Sequence, residues 1–222
     1  MLNGNLPMQK TKEILLSLLA IAFVVIIPHT GLVPFPFGYC IPVLLVAWLV
    51  LKLNKENFSN TGFKLKDISI KALLAGIVMA IILFAFLTEV FFPFIHKLTD
   101  LPAVDLGDIA NIKGNTGFYI FLLAMGWLVG GLYEEIIFHG FIFTRLEKLF
   151  PVKYAMPAAF LICNIIFAFY HYQLGAEGVI NAFIAGCVYH ALMLHYKRNM
   201  WYAIFCHAVY DTIALTYIYA GF

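Results

Sequence analysis

Apolar residues run along this chain in long blocks, not at the spacing of a surface helix or in the alternation of a half-buried strand. The blocks are Glu13 to Pro28, Phe37 to Leu53, Ile70 to Ile95, Phe118 to Phe143, Tyr154 to His171, Gly178 to Tyr196 and Trp201 to Phe222. Each approaches the ~20 mostly apolar residues that carry a helix across a bilayer. Polar residues gather between the blocks. The pattern predicts an all-α polytopic membrane helix bundle of about seven transmembrane helices. No internal repeat, low-complexity tract or separate soluble domain interrupts it.

Composition agrees with the pattern. Of 222 residues, 63% are hydrophobic and 12% charged, about half the charged share of a soluble domain. This excludes a cytosolic enzyme, a nucleic-acid binder and a disordered chain as readings of the whole. Lys10 and Lys12 precede the first block as in a signal peptide. No small-x-small site lies near Pro28, so an uncleaved first span is expected. Cys40, Cys163, Cys187 and Cys206 are widely spaced and show no metal-ligand or redox spacing. They read as small buried hydrophobes.

Charge placement adds direction. With seven crossings, Lys10, Lys12, Lys52, Lys55, Lys64, Lys66, Lys71, Arg145, Lys148, Lys153, Lys197 and Arg198 fall on one side. Lys97 and Lys113 fall on the other, beside Asp100, Asp105 and Asp108. Basic residues favour the cytoplasm, so an integral membrane protein with a cytoplasmic N-terminus is expected. Segments Asn54 to Asp67 and Thr144 to Lys153 mix basic and apolar residues and suit the inner interface.

Ionisable residues at membrane depth cost about 2.5–3.5 kcal/mol each on insertion scales, so those that remain call for a reason. Glu134 and Glu135 are neighbours, about 100° apart on an α-helix, and so are expected to serve different roles. Glu135 lies four residues before His139, on one face, which suits a local pair. Glu134 faces elsewhere, toward a cavity or, on the alternative reading, toward solvent at the inner interface. His207 and Asp211 are four apart and share a face. They can orient a tautomer, bind a metal, meet a substrate carbonyl or hold the bundle together. His171 closes Phe167-Ala-Phe-Tyr-His171 and, alone, reads as an interfacial histidine. Glu89 and His195 read as near-interface residues, and His190 as a packed, hydrogen-bonded histidine. Taken together, Glu134, His171, His207 and Asp211 bring water-activating and carbonyl-polarising groups from three spans, which is hydrolysis chemistry.

These motifs resemble the CPBP intramembrane proteases, the CAAX prenyl protease and bacteriocin-processing group also called Abi or Rce1-like. Glu134-Glu135-Ile-Ile-Phe-His139-Gly140 looks like the family's EExxxRG, Phe167 to His171 like its FxxxH, and His207-Ala-Val-Tyr-Asp211 like its HxxxN/D. Asn199-Met-Trp201 looks like its Asn-x-Trp run. The resemblance covers about Gly126 to Ala214. It divides the chain into 1–115, helices walling a cavity, and 116–222, a catalytic core, within one membrane domain. It implies hydrolysis of a peptide bond in a membrane-associated protein or peptide: a CAAX-type, leader-peptide or bacteriocin-like substrate. By analogy Glu134 and His171 activate water, and His207 and Asp211 stabilise the oxyanion or bind metal. Glu135 and His139 support them. The residue types fit a glutamate-dependent mechanism or a divalent metal such as zinc on Glu134, His171, His207 and Asp211, and do not choose between them. Small size without added domains fits a bacterial cell-membrane protein.

One position departs from the pattern. His139 stands where the family carries Arg. Arginine pairs permanently with Glu135, whereas histidine pairs when protonated or as a neutral donor. A steeper loss of activity above neutral pH than in His139→Arg is therefore expected. Counting residues raises a second difficulty. Glu134 and His207 fall near the inner third of their helices and His171 near the outer end of its own, so as drawn they do not meet. Two other functions suit the same residues: a non-catalytic bacteriocin self-immunity or scaffold protein on this fold, and a small proton-coupled transporter whose relay uses Glu, His and Asp.

Overall fold

The computed structural model describes residues 6–221. Met1 to Asn5 and Phe222, which belong to the expected N-terminal unit and last span, lie outside them. Among the described residues the regular structure is entirely helical. The seven apolar blocks become α1 (Leu6–Ile26), α2 (Cys40–Leu53), α3 (Ile70–Leu98), α4 (Thr116–Glu147), α5 (Val152–Tyr170), α6 (Gly175–His195) and α7 (Trp201–Ala220). Six are long and apolar enough to cross a membrane. The other, α2, has 14 residues, about 21 Å at 1.5 Å per residue, against a hydrocarbon core of about 30 Å.

Successive helices run in opposite directions, and side-chain contacts fix which ends meet. At one end, Lys148 Nζ reaches Glu13 Oε1 at 2.6 Å and Glu56 Oε1 at 2.7 Å. Arg145, 1% exposed, pairs with the other oxygen of Glu56. Arg198 holds Glu147 through two nitrogens at 2.8 and 2.6 Å. The Asn-x-Trp run does its work here: Asn199 Nδ2 donates to Asp67 O and Trp201 Nε1 to Lys64 O. That stitches the 54–69 connection to the start of α7. Segment 144–147 continues α4, with Arg145 and Leu146 buried. At the other end, His96 meets Glu177 at 2.7 Å, Thr116 meets Tyr219, and Asp105 N–H donates to Leu174 O.

Small residues set the helix spacing. A Cβ on Gly76 of α3 would fall 2.8 Å from the backbone nitrogen of Cys206, and one on Gly131 of α4 would fall 2.6 Å from Ala208 Cβ. Glycine there lets α3 and α4 approach α7 at backbone distance, the usual device in a bundle that lacks a hydrophobic drive to associate. Gly186 of α6 plays the same part against Phe167 and Asn164 of α5. The four cysteines are unpaired, with Cys163 and Cys206 buried.

Within α4, residues Gly126–Ile142 wind as a π-helix, with hydrogen bonds one residue longer than in an α-helix. The wider turn brings neighbouring side chains closer in direction. Every residue from Tyr133 to Phe143 is buried, so this stretch is the centre of the bundle.

Candidate active site

On the wide turn Glu134 and Glu135 stand side by side. Both carboxylates face the same interior: Glu134 is 7% and Glu135 0% exposed. They differ in what they touch. Glu135 Oε2 lies 2.6 Å from His139 Nδ1 and Oε1 lies 2.8 Å from His207 Nδ1. Both of its oxygens are thus committed. Glu134 Oε2 accepts no hydrogen bond among the described residues. It lines a cavity, 3.7 Å from His171 Nε2.

The histidine tautomers follow from their partners. His171 Nδ1 lies 2.8 Å from Phe167 O. A carbonyl cannot donate, so Nδ1 carries the hydrogen and the Nε2 of the neutral ring is left as an acceptor toward Glu134. His207 gives Nδ1 to Glu135, and its Nε2 lies 3.7 Å from Asp211 Oδ1. Glu134, His171, His207 and Asp211 all line one cavity of about 480 Å³, in the ordinary range for ligand sites. Its other walls include Leu87, Met125, Val129, Asn181, Tyr210 and Leu215.

The depth conflict disappears because the helix ends are staggered. A Cβ on Gly140 would fall 2.7 Å from Met200 Cε, so α7 begins level with Gly140, seven residues before α4 ends at Glu147. Counting each helix from its own end had set His207 too close to the surface. Phe138 of α4 lies against Phe167 of α5 at 5.2 Å between ring centres, which sets His171 one turn further along, beside Glu134.

His139 keeps the Glu135 contact that an arginine would make and adds another. Its Nε2 lies 3.2 Å from Asn164 Oδ1, while Asn164 Nδ2 donates to Phe160 O at 2.8 Å and lies 3.1 Å from His190 Nδ1. Asn164 and His190 are 0% exposed. Sequence reasoning named His190 a packed histidine but missed Asn164. The signal was there: a lone amide in the apolar run of α5. It also missed Gly130, where a Cβ would fall 2.2 Å from Asp211 Oδ2 and 3.5 Å from His207 Nε2. Glycine at that position is what lets Asp211 and His207 reach the cavity past α4. Glu89 and His195 take no part in the site; both are exposed.

Two groups have metal-type donors. In the cavity, the bare Nε2 of His171 and the unengaged Oε2 of Glu134 face each other, with His207 Nε2 and Asp211 across from them. Behind it, ligand atoms of His139, Cys163 and His190 all lie within 4.8 Å of one another.

Residues 116–213 match the family model of type II CAAX prenyl endopeptidases, Rce1-like. This stretch of the chain is Rce1-like. The match takes in every residue of the candidate site, and the family is one of proteases. Neither a curated protein nor a solved structure matches the chain. The Rce1-like stretch does not build the cavity by itself: Phe37, Phe84, Leu87, Thr88, Phe92, Val104, Leu106 and Ile109 also line it.

Proposed function

We propose that the protein is an intramembrane endopeptidase that hydrolyses a peptide bond in a membrane-associated protein or peptide. The observation that carries this reading is the Glu134–His171 pair, an unengaged carboxylate oxygen 3.7 Å from a bare imidazole nitrogen, facing a cavity. Both groups contact one water; one of them takes a proton as the water oxygen attacks the carbonyl carbon, and then gives that proton to the departing amine as the C–N bond breaks. As the imidazolium, His207 donates Nδ1–H to Glu135 and, on the other wall, Nε2–H to the carbonyl oxygen as charge develops there. Glu135 fixes the His207 ring through Nδ1 and so aims Nε2 at the cavity. Asp211 holds the far side of that nitrogen.

The donor set also fits a divalent ion. Glu134, His171, His207 and Asp211 would hold it, and it would supply Lewis-acid polarisation and a more acidic water. The steps above use the protein's own groups. The basic end of the bundle, with twelve of the fourteen lysines and arginines, lies in the cytoplasm on this reading, and with it the N-terminus.

Cleavage of a membrane-peptide library by purified protein in liposomes tests the proposal. Glu134→Gln and His207→Ala each lose on the order of 10² or more in rate, the usual worth of a positioned acid–base group. Chelator sensitivity then reports the metal. Cleavage that persists in both variants overturns the assignment.

A further inference from the structure

We infer that the cavity takes its substrate from the end of the bundle opposite the basic one, the non-cytoplasmic side, as an apolar segment reaching down toward Glu134. The inference rests on the endopeptidase reading and on the cytoplasmic placement of the basic end.

The basic end is closed beneath the site. Tyr133 to Phe143 form an unbroken buried stretch between Glu134 and that surface. Gly140 is packed against Met200 and Thr61, and Trp201 against Phe63 at 5.5 Å between ring centres. Arg145 and Glu56 seal the rim outside them. A polypeptide entering there would have to part this buried, close-packed stretch.

The opposite end is built differently. The cavity runs from Gly130 and Glu134 up to Val104, Leu106 and Ile109 of the 99–115 connection and to Leu174 and Glu177 at the start of α6. These upper residues are half-exposed, unlike the buried Leu122 and Val129 below them. The connection has no long helix and is tied to the bundle by the Asp105 N–H to Leu174 O bond, 2.9 Å. The walls between mouth and site are apolar: Phe84, Leu87, Met125, Leu215 and Ile218. Asn181 and Tyr210, which bond each other at 2.7 Å, interrupt them. Such a passage desolvates an apolar peptide side chain and leaves one polar pair for its backbone.

Cysteine accessibility tests the inference with or without a known substrate. Cys40 and Cys187 are replaced by Ser, and single cysteines are placed at Ile109, Ala214 and Lys66. Right-side-out vesicles are treated with membrane-impermeant thiol reagents. The expected result is labelling of Ile109→Cys, and of Ala214→Cys by a small thiosulfonate, without permeabilisation, with Lys66→Cys labelled only after it. The reverse pattern overturns the inference. In the cleavage assay, a bulky maleimide on Ile109→Cys slows turnover at least tenfold relative to the same unlabelled variant. Unchanged turnover, with cleavage still lost in Glu134→Gln, overturns the entry route and spares the protease. Outer labelling of Ala214→Cys in a protein that cleaves nothing supports the outward cavity and overturns the protease reading.

Discussion

Two glycines one residue apart do different work, and substitution separates them. Gly130 leaves room for Asp211, whose Oδ2 would lie 2.2 Å from an added methyl; Gly131 leaves room for Ala208 and for the Ile204 carbonyl at 3.0 Å. In Gly130→Ala the Asp211 carboxylate is pushed off its place while the helices keep their spacing. Alanine also favours the helix by up to about 1 kcal/mol. Cleavage is expected to fall tenfold or more with little change in thermal unfolding. In Gly131→Ala the backbones of α4 and α7 must separate, so unfolding temperature and activity fall together. Equal losses of stability in the two would refute the distinction. A second substitution addresses His139. It occupies one oxygen of a fully buried carboxylate, and a buried hydrogen bond to a charged group contributes about 1.5–3 kcal/mol. His139→Ala therefore lowers stability by that order and frees Glu135 to turn from His207. Cleavage then falls even though residue 139 lies outside the cavity lining. Unfolding and cleavage measured on one preparation check both effects.

Helices were legible in the sequence because a bilayer demands long apolar runs, and six of the seven blocks appear within about four residues of their expected bounds, while α1 begins seven residues earlier, at Leu6. The pairing of Glu135 with His139 was legible too, since four residues bring two side chains together in either winding. The π-helical stretch of α4 was not, because the local pattern of Phe118 to Phe143 reads as an ordinary apolar helix. Helix stagger was equally hidden, because the contacts that set it join residues far apart in the chain. Glu56 with Arg145 is one such contact, 89 residues apart in sequence, and it seals the basic end of α4. Burial raises the Glu56 carboxyl, but Lys148 and Arg145 outweigh it and hold the group below its ordinary value. A depressed carboxyl stabilises the fold above its unfolded value, and that stability is lost as pH falls through the folded one. The bundle is thus expected to weaken on acidification through and below the ordinary glutamate range, and Glu56→Gln to remove that part of the pH dependence. Glu56→Ala leaves a buried guanidinium unpaired, at a cost on the order of 3 kcal/mol. Denaturation profiles against pH for the three proteins decide it, and parallel profiles for wild type and Glu56→Gln would sink the assignment.

For the molecule as a whole, the proposed reacting groups and part of the cavity wall come from different parts of the chain. Glu134, His171, His207 and Asp211 all lie within the Rce1-like stretch, 116–213. Phe84, Leu87 and Phe92 of α3 and Val104, Leu106 and Ile109 lie before it and line the same cavity. α3 is locked to α7 by the close approach at Gly76, so its wall is held rigidly against the helix that carries His207 and Asp211. Selectivity is therefore expected to follow α3 while chemistry follows α4, α5 and α7. Leu87 is the sharpest place to look, being 1% exposed and a cavity-lining residue. Leu87→Ala removes several methyl-sized groups from the wall, and a difference of one such group in an apolar pocket is worth about 1–3 kcal/mol of discrimination. The expected outcome is a shift of tenfold or more in the ratio of kcat/KM values, toward peptides with a bulkier apolar residue near the scissile bond. Leu128→Ala, on the outward face of α4 at 57% exposure, is the control and should leave that ratio unchanged. A ratio that moves equally in both variants would mean that the bundle has loosened generally, and a ratio fixed in both would remove α3 from substrate selection.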